Sequence, residues 1–191
     1  PGGGGGSCGP AALRCVTLDL DETCWPTMPP VLSAVASLEA HLETALPRAA
    51  AAGATSREAQ RALLGSLREA EPHLAHDMTA LRRAALRRIA DAHGDELSDA
   101  ALDAAMDVFL DARSRTSPHL FDDLRPAIAA LRAAGLAVGA VTDGNADVRR
   151  DAELSMLFDF SVTAADAGAT KSAAAPFLIA AAAAGCPAAE G

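Results

Sequence analysis

The sequence predicts an α/β protein, with a Rossmann-like parallel sheet core and a helical bundle inserted after the first strand. Three observations carry that expectation. Short apolar strands at 13–20, 136–141 and 158–163 alternate with helical stretches, the order that builds a parallel sheet with helices on its faces. Residues 30–113 hold amphipathic helix and no strand, which reads as one inserted unit. The first strand also ends in two carboxylates, Asp19 and Asp21, with Thr23 two positions further on. Open α/β sheets place their ligands at such carboxyl ends.

Taken in order, residues 1–12 read as a disordered Gly-rich tail. The core is expected over 13–23 and 118–191, and the cap over 24–117. Residues i and i+2 of an extended segment point the same way, so Asp19 and Asp21 leave the strand together. Two adjacent like charges cost free energy unless a cation or a shared proton compensates. A metal-assisted nucleophile needs that arrangement, although a strand end running into an Asx turn gives the same short pattern. A proline-rich loop, 24–30, carries Trp25, the one tryptophan. Four helical blocks follow. Leu38, Leu42 and Leu46 set the spacing of 30–46, and Ser56 and Glu58 suit the start of 56–70. In 72–92, Leu74, Met78, Leu81, Ala85 and Ile89 form one side, with Arg82, Arg83, Arg87 and Arg88 placed outside. Ser98 caps 98–113. Further helices are expected at 123–134 (capped by Asp122-Asp123 and ended by Gly135), 146–156 and 172–184.

The 191 residues, half of them apolar, suffice for one core plus a small satellite. With 16 basic and 25 acidic residues the net charge is −9, which argues against nucleic acid or an anionic membrane as partner. The four cysteines show no paired spacing, so neither a disulfide framework nor a zinc site is implied. A reducing compartment fits: cytoplasm, or a plastid if the Gly-rich start is the remnant of a longer precursor. No apolar run reaches the ~18 residues of a membrane span.

Two later segments bear on the acid pair. Thr142-Asp143-Gly144-Asn145 ends the second strand with a hydroxyl and two backbone N–H groups able to hold a phosphoryl oxygen, though alone it is an ordinary turn. Lys171 follows a Gly-containing loop, 167–170, and could neutralise a phosphate beside Asp19. Strand acids, strand Thr and loop Lys, in that order, resemble the first three motifs of the haloacid dehalogenase-like superfamily. Residues 67–82, the opening Asp19–Val31 and Val141–Ala146 are similar to its flavin mononucleotide and pyrimidine phosphatase subgroup, with helical cap. Asp143 stands where that subgroup has Asn, and Ser172 where Pro usually follows the Lys.

The resemblance implies Mg²⁺ bound by Asp19 and Asp21, and a two-step phosphoryl transfer from a small phosphorylated metabolite, flavin mononucleotide or a ribityl-pyrimidine phosphate. Asp19 would be the nucleophile and Asp21 the acid and base. Thr142 and Lys171 would hold the equatorial oxygens with the N–H groups of Asp143 and Gly144, and Trp25 would stack on the substrate or pack against the cap. Dehalogenases of the superfamily lack an acid at the position of Asp21, because a halide leaves without a proton. The superfamily's fourth, acid-bearing motif is expected where the chain ends, at Gly191, so weak Mg²⁺ binding is anticipated. A catalytically impaired member binding a phosphorylated ligand or a protein partner is the alternative, and a phosphomutase comes third. His73 and His76 are read as cap surface or substrate contacts, and the arginines at 82–88 as a solvated face.

Overall fold

A computed structural model describes residues 13–186. The expectations for 1–12 and for the residues after Cys186 lie outside the described residues. Strands β1 (Cys15–Leu18), β2 (Ala137–Thr142) and β3 (Phe160–Thr163) form a parallel sheet in that order. Leu18 pairs with Ala140, and Thr142 with Thr163, so all three strands deliver their carboxyl ends to one rim. The first strand is shorter than its apolar run suggests: it stops at Leu18, and Asp19 to Asp21 belong to the loop beyond. Gly139, mid-strand in β2, lies under the ring of Phe160. A Cβ there would sit 2.1 Å from the ring edge.

The inserted helices are α1 (Met28–Ala45), α2 (Pro47–Ala51), α3 (Arg57–Ala70), α4 (Met78–His93) and α5 (Asp99–Ser114). The side chains of Ser56, Asp77 and Ser98 accept hydrogen bonds from the first free N–H groups of α3, α4 and α5. Leu38, Leu42 and Leu46 pack on Leu102, Met106 and Phe109 in one buried cluster. Each such side chain contributes about 1.5–3 kcal/mol by leaving water. The block expected as one helix over 72–92 is broken. A 3₁₀ turn, Pro72–Leu74, precedes a fresh start at Asp77, whose carboxylate accepts from Thr79 and Ala80 N–H. The short α2 was not legible. Pro47 opens it, and the distant Asp95 carboxylate accepts from Arg48 and Ala49 N–H.

On the sheet side come α6 (Leu124–Ala133), α7 (Ala152–Leu157), α8 (Ala164–Ala167) and α9 (Ala175–Ala183). Gly135 ends the α6 turn at φ +79°, as expected. The cap expected from Asp122-Asp123 does not form: Asp123 precedes α6 without a side-chain hydrogen bond. Residues 146–156 are a 3₁₀ turn (Val148–Arg150) followed by α7, because Asp147 and then Asp151 each cap a new start. Leu20, Cys24, Trp25, Ile128, Val138 and Leu154 share the cluster beneath the sheet. Cys24 and Trp25 therefore pack with the core rather than with the inserted helices, and the change of packing falls after Trp25. No helix among the described residues is long and apolar enough to cross a membrane.

Candidate active site

The loop after β1 is a tight turn. The Leu20 carbonyl accepts from Thr23 N–H at 3.2 Å and Cys24 N–H at 2.7 Å, and Glu22 N–H donates to the Trp25 carbonyl at 2.8 Å. Glu22 adopts φ +60°, a left-handed conformation rare outside glycine. Its carboxylate accepts from Thr27 N–H at 2.7 Å, which holds the turn and lowers the Glu22 pKa. Leu20 is fully buried beneath the sheet, while Asp19 and Asp21 stay at the rim. The alternation expected of a strand survives in the loop.

Each carboxylate has its own cation. Lys171 Nζ donates to Asp19 Oδ1 at 2.5 Å, and Thr23 Oγ1 to Asp19 Oδ2 at 3.5 Å. Arg113, from the last turn of α5, donates from Nη2 to Asp21 Oδ2 at 2.5 Å. The Trp25 indole N–H donates to Asp21 Oδ1 at 3.0 Å. Arg113's side chain is 3% exposed against 21% for Asp21, so the guanidinium is the buried member of that pair. Below them the Cys24 thiol donates to the Asp19 carbonyl at 3.1 Å. Burial, and then the charges of Asp19 and Asp21, push its pKa up to about 12, so it serves as a neutral donor.

Thr142 and Gly144 close the other side. Gly144 N–H donates to Thr142 Oγ1 at 3.0 Å. A Cβ on Gly144 would lie 2.7 Å from Asp21 Oδ2 and 3.3 Å from Thr142 Oγ1, so the acid, the hydroxyl and this bare backbone converge. Asp143 turns away from them. Its Oδ1 accepts from Lys171 N–H at 2.8 Å, tying the lysine loop to the end of β2. An Asn at this position has the same acceptor, which accounts for the departure. Ser172 shares a 2.7 Å hydrogen bond with Thr170, and α9 begins only at Ala175, so the helix starts later than the expected 172.

A crevice of about 150 Å³ opens between His76–Thr79 of the cap and Gly144, Asn145 and Thr163 of the rim. His76 lines it and His73 does not. Trp25 corrects an expectation. Its side chain is fully buried under the sheet and its N–H is committed to Asp21, so it orients the acid and offers no face for stacking. Arg113 was missed altogether. Its signal was periodicity, because 102, 106, 109 and 113 fall on one helical stripe.

The oxygens assigned to Mg²⁺ are the Asp19 carboxylate, already paired with Lys171, and the Asp21 carbonyl. Among the described residues no three His, Cys, Asp or Glu side chains converge as metal ligands. Asp147 is held by Arg149, and Asp166 by the Thr163 N–H and hydroxyl. Set against the near-octahedral oxygen demand of Mg²⁺, this donor set is short.

The sheet rim and the inserted helices define an α/β protein with a Rossmann-like parallel core and a helical cap. A family model described as haloacid dehalogenase-like hydrolase matches residues 13–190. Among solved structures, a 2-haloacid dehalogenase from Pseudomonas syringae pv. tomato DC3000 is similar at 32% identity and TM-score 0.76, over 93% of this chain and 75% of that one. An L-2-haloacid dehalogenase is 22% identical over the same shares with TM-score 0.42. No curated protein matches. The chain belongs to the haloacid dehalogenase-like hydrolase family.

Proposed function

We propose that this hydrolase cleaves phosphomonoesters through an aspartyl-phosphate. The observation that carries the reading is Asp21: a second carboxylate, held at the rim by Trp25 and Arg113 and facing Thr142 and Gly144. An alkoxide leaving group needs a proton and a halide does not. An Asp19 oxygen attacks phosphorus while the P–O bond to the leaving group breaks, and Asp21, which must enter this step protonated, gives its proton to the alkoxide and becomes the carboxylate. Water then attacks the aspartyl-phosphate, Asp21 takes its proton, and inorganic phosphate leaves. Lys171 and the Thr142 hydroxyl balance charge on the equatorial oxygens. Magnesium remains the proposed cofactor, supplying charge neutralisation when bound. Given the donor set above, no step is assigned to it, and calorimetry with Mg²⁺ is expected to show weak binding.

Flavin mononucleotide and ribityl phosphates are the proposed substrates, supported by the cap segment 67–82 that resembles that phosphatase subgroup. A dehalogenase reading is favoured by one specific observation, the 32% identity to a protein described as a 2-haloacid dehalogenase. Parallel assays separate the two: phosphate release from flavin mononucleotide and p-nitrophenyl phosphate, and chloride release from 2-chloropropionate. Phosphate release that Asp19→Asn abolishes is expected. Chloride release without phosphate release would overturn the proposal.

A further inference from the structure

A cavity of about 480 Å³ lies inside the cap between α1, α3 and α4. That volume suits a small organic molecule. Met28, Val31, Val35, Leu64 and Leu81 make its apolar wall, and Arg57, Arg61, Arg68, Arg82 and Gln60 its polar part. No carboxylate lines it. Most arginines outside the cavity find an acid: Arg83 pairs with Asp103, Arg87 with Asp99, Arg88 with Glu71 and Arg150 with Asp107 and Asp111, whereas Arg14, Arg48 and Arg115 have no ion pair among the described residues. Among the described residues, none of the four cavity arginines has an ion pair, in a chain whose net charge is −9.

Arg82 alone of the four is buried; Arg57, Arg61 and Arg68 are exposed, and the partners of Arg82 and Arg68 are neutral. Arg82 is 7% exposed. Its Nη1 donates to Gln60 Oε1 at 3.1 Å, its guanidinium lies 4.0 Å from the Phe109 ring centroid, and its buried Nε has no partner. Arg68 Nη2 reaches only the Met78 sulfur, at 2.5 Å. Desolvation lowers the Arg82 pKa to about 10, the response of a cation that lacks a counter-charge. Burying a guanidinium without an anion is costly, and gathering like charges around it adds to that cost. The arrangement becomes favourable once an anion enters.

We infer that this cavity is a binding site for an organic anion, its apolar body against the α1 wall and its carboxylate, sulfonate or phosphate on Arg82 with Arg57, Arg61 and Arg68 around it. The inference is independent of which bond the rim cleaves, because none of Asp19, Asp21, Thr142 and Lys171 lines the cavity.

The test uses 1-anilinonaphthalene-8-sulfonate as the anionic probe and N-phenyl-1-naphthylamine as its neutral counterpart, titrated by fluorescence and calorimetry on the native chain. One-to-one binding of the sulfonate is expected, at least about tenfold tighter than the neutral compound, and weakened about tenfold or more in Arg82→Met. Far-ultraviolet dichroism checks that the variant is folded. Should Arg82→Met fail to fold, the double variant Arg57→Gln/Arg61→Gln carries the test, with a several-fold loss expected. Equal affinity for both probes, or sulfonate binding unchanged in a folded variant, would overturn the inference.

Discussion

Arg113 and Arg82 are both buried arginines, each on the apolar stripe of its helix, and they inhabit opposite electrostatic surroundings. At the sheet rim Arg113 meets Asp21, as Lys171 meets Asp19, so each acid of that pair has a cation at 2.5 Å. In the cap interior Arg82 meets an amide oxygen and an aromatic face. The contrast separates two uses of one residue type. A buried cation with its anion fixes a geometry, whereas one without an anion is a place where something else can bind. The first kind should be costly to delete and the second should not.

The largest expected effect concerns the rim alone. Asp19→Asn should lower turnover of a phosphomonoester by at least about 10³-fold, because Asp19 is the carboxylate paired with the Lys171 ammonium at the rim. Phosphate release under single-turnover conditions measures it, and a variant with native kcat would sink the nucleophile assignment. Next comes the direct comparison. Arg113→Met leaves Asp21 without its cation and should cost about 2–3 kcal/mol, roughly 5–10 °C in Tm. Arg82→Met removes an unpaired charge and should stay within about 1 kcal/mol of the native chain. Equal losses in thermal unfolding would erase the distinction between the two arginines.

Gly144→Ala probes how tightly the rim is assembled. The added Cβ must displace the Asp21 carboxylate from 2.7 Å, so kcat should fall about tenfold while Tm shifts by only a few degrees. Asp143→Asn should keep the Lys171 loop in place, whereas Asp143→Ala should raise KM a few-fold. Indistinguishable kinetics for the two would mean the tether is idle. The smallest effect is on Cys24. Its folded pKa of about 12 stands above the ordinary 9.0, so the stability it contributes is intact below pH 9 and declines as the pH rises toward 12. Thiol titration at pH 8 should find Cys24 unreactive until the chain is denatured.

How much of this was legible depended on where each partner lies along the chain. Asp19, Thr142 and Lys171 could be read because parallel strands carry their carboxyl ends to one rim by topology alone. The pairing of Asp21 with Arg113 could not, since 92 residues and a whole cap separate them. The arginines at 82–88 were read together as a solvated face, which suits Arg83, Arg87 and Arg88. Arg82 differs because 78, 82, 85 and 89 share the apolar stripe of α4, and the charge of its side chain masked that position. Helix breaks at Asp77 and Asp151 were likewise hidden: an Asp inside a helical run looks like a surface residue until its carboxylate is seen on the next N–H groups. Trp25 shows the reverse error. A lone aromatic beside a site invites a substrate role, whereas its full burial and its hydrogen bond to Asp21 make it a positioning residue.

The glycine beneath Phe160 has a consequence for how this chain can vary. Any side chain at position 139 would meet the ring, so either the Phe160 ring must swing aside or β3 must shift, and β3 leads through α8 into the loop that presents Lys171. A substitution there that moved β3 would carry the lysine loop with it and loosen its contact with Asp19. In an evolving sequence such a change would surface as a weakened enzyme with normal solubility, a lesion felt at the rim though it arose in the middle of a strand. Position 139 is thus constrained by the Phe160 ring, and the constraint reaches the catalytic lysine through β3.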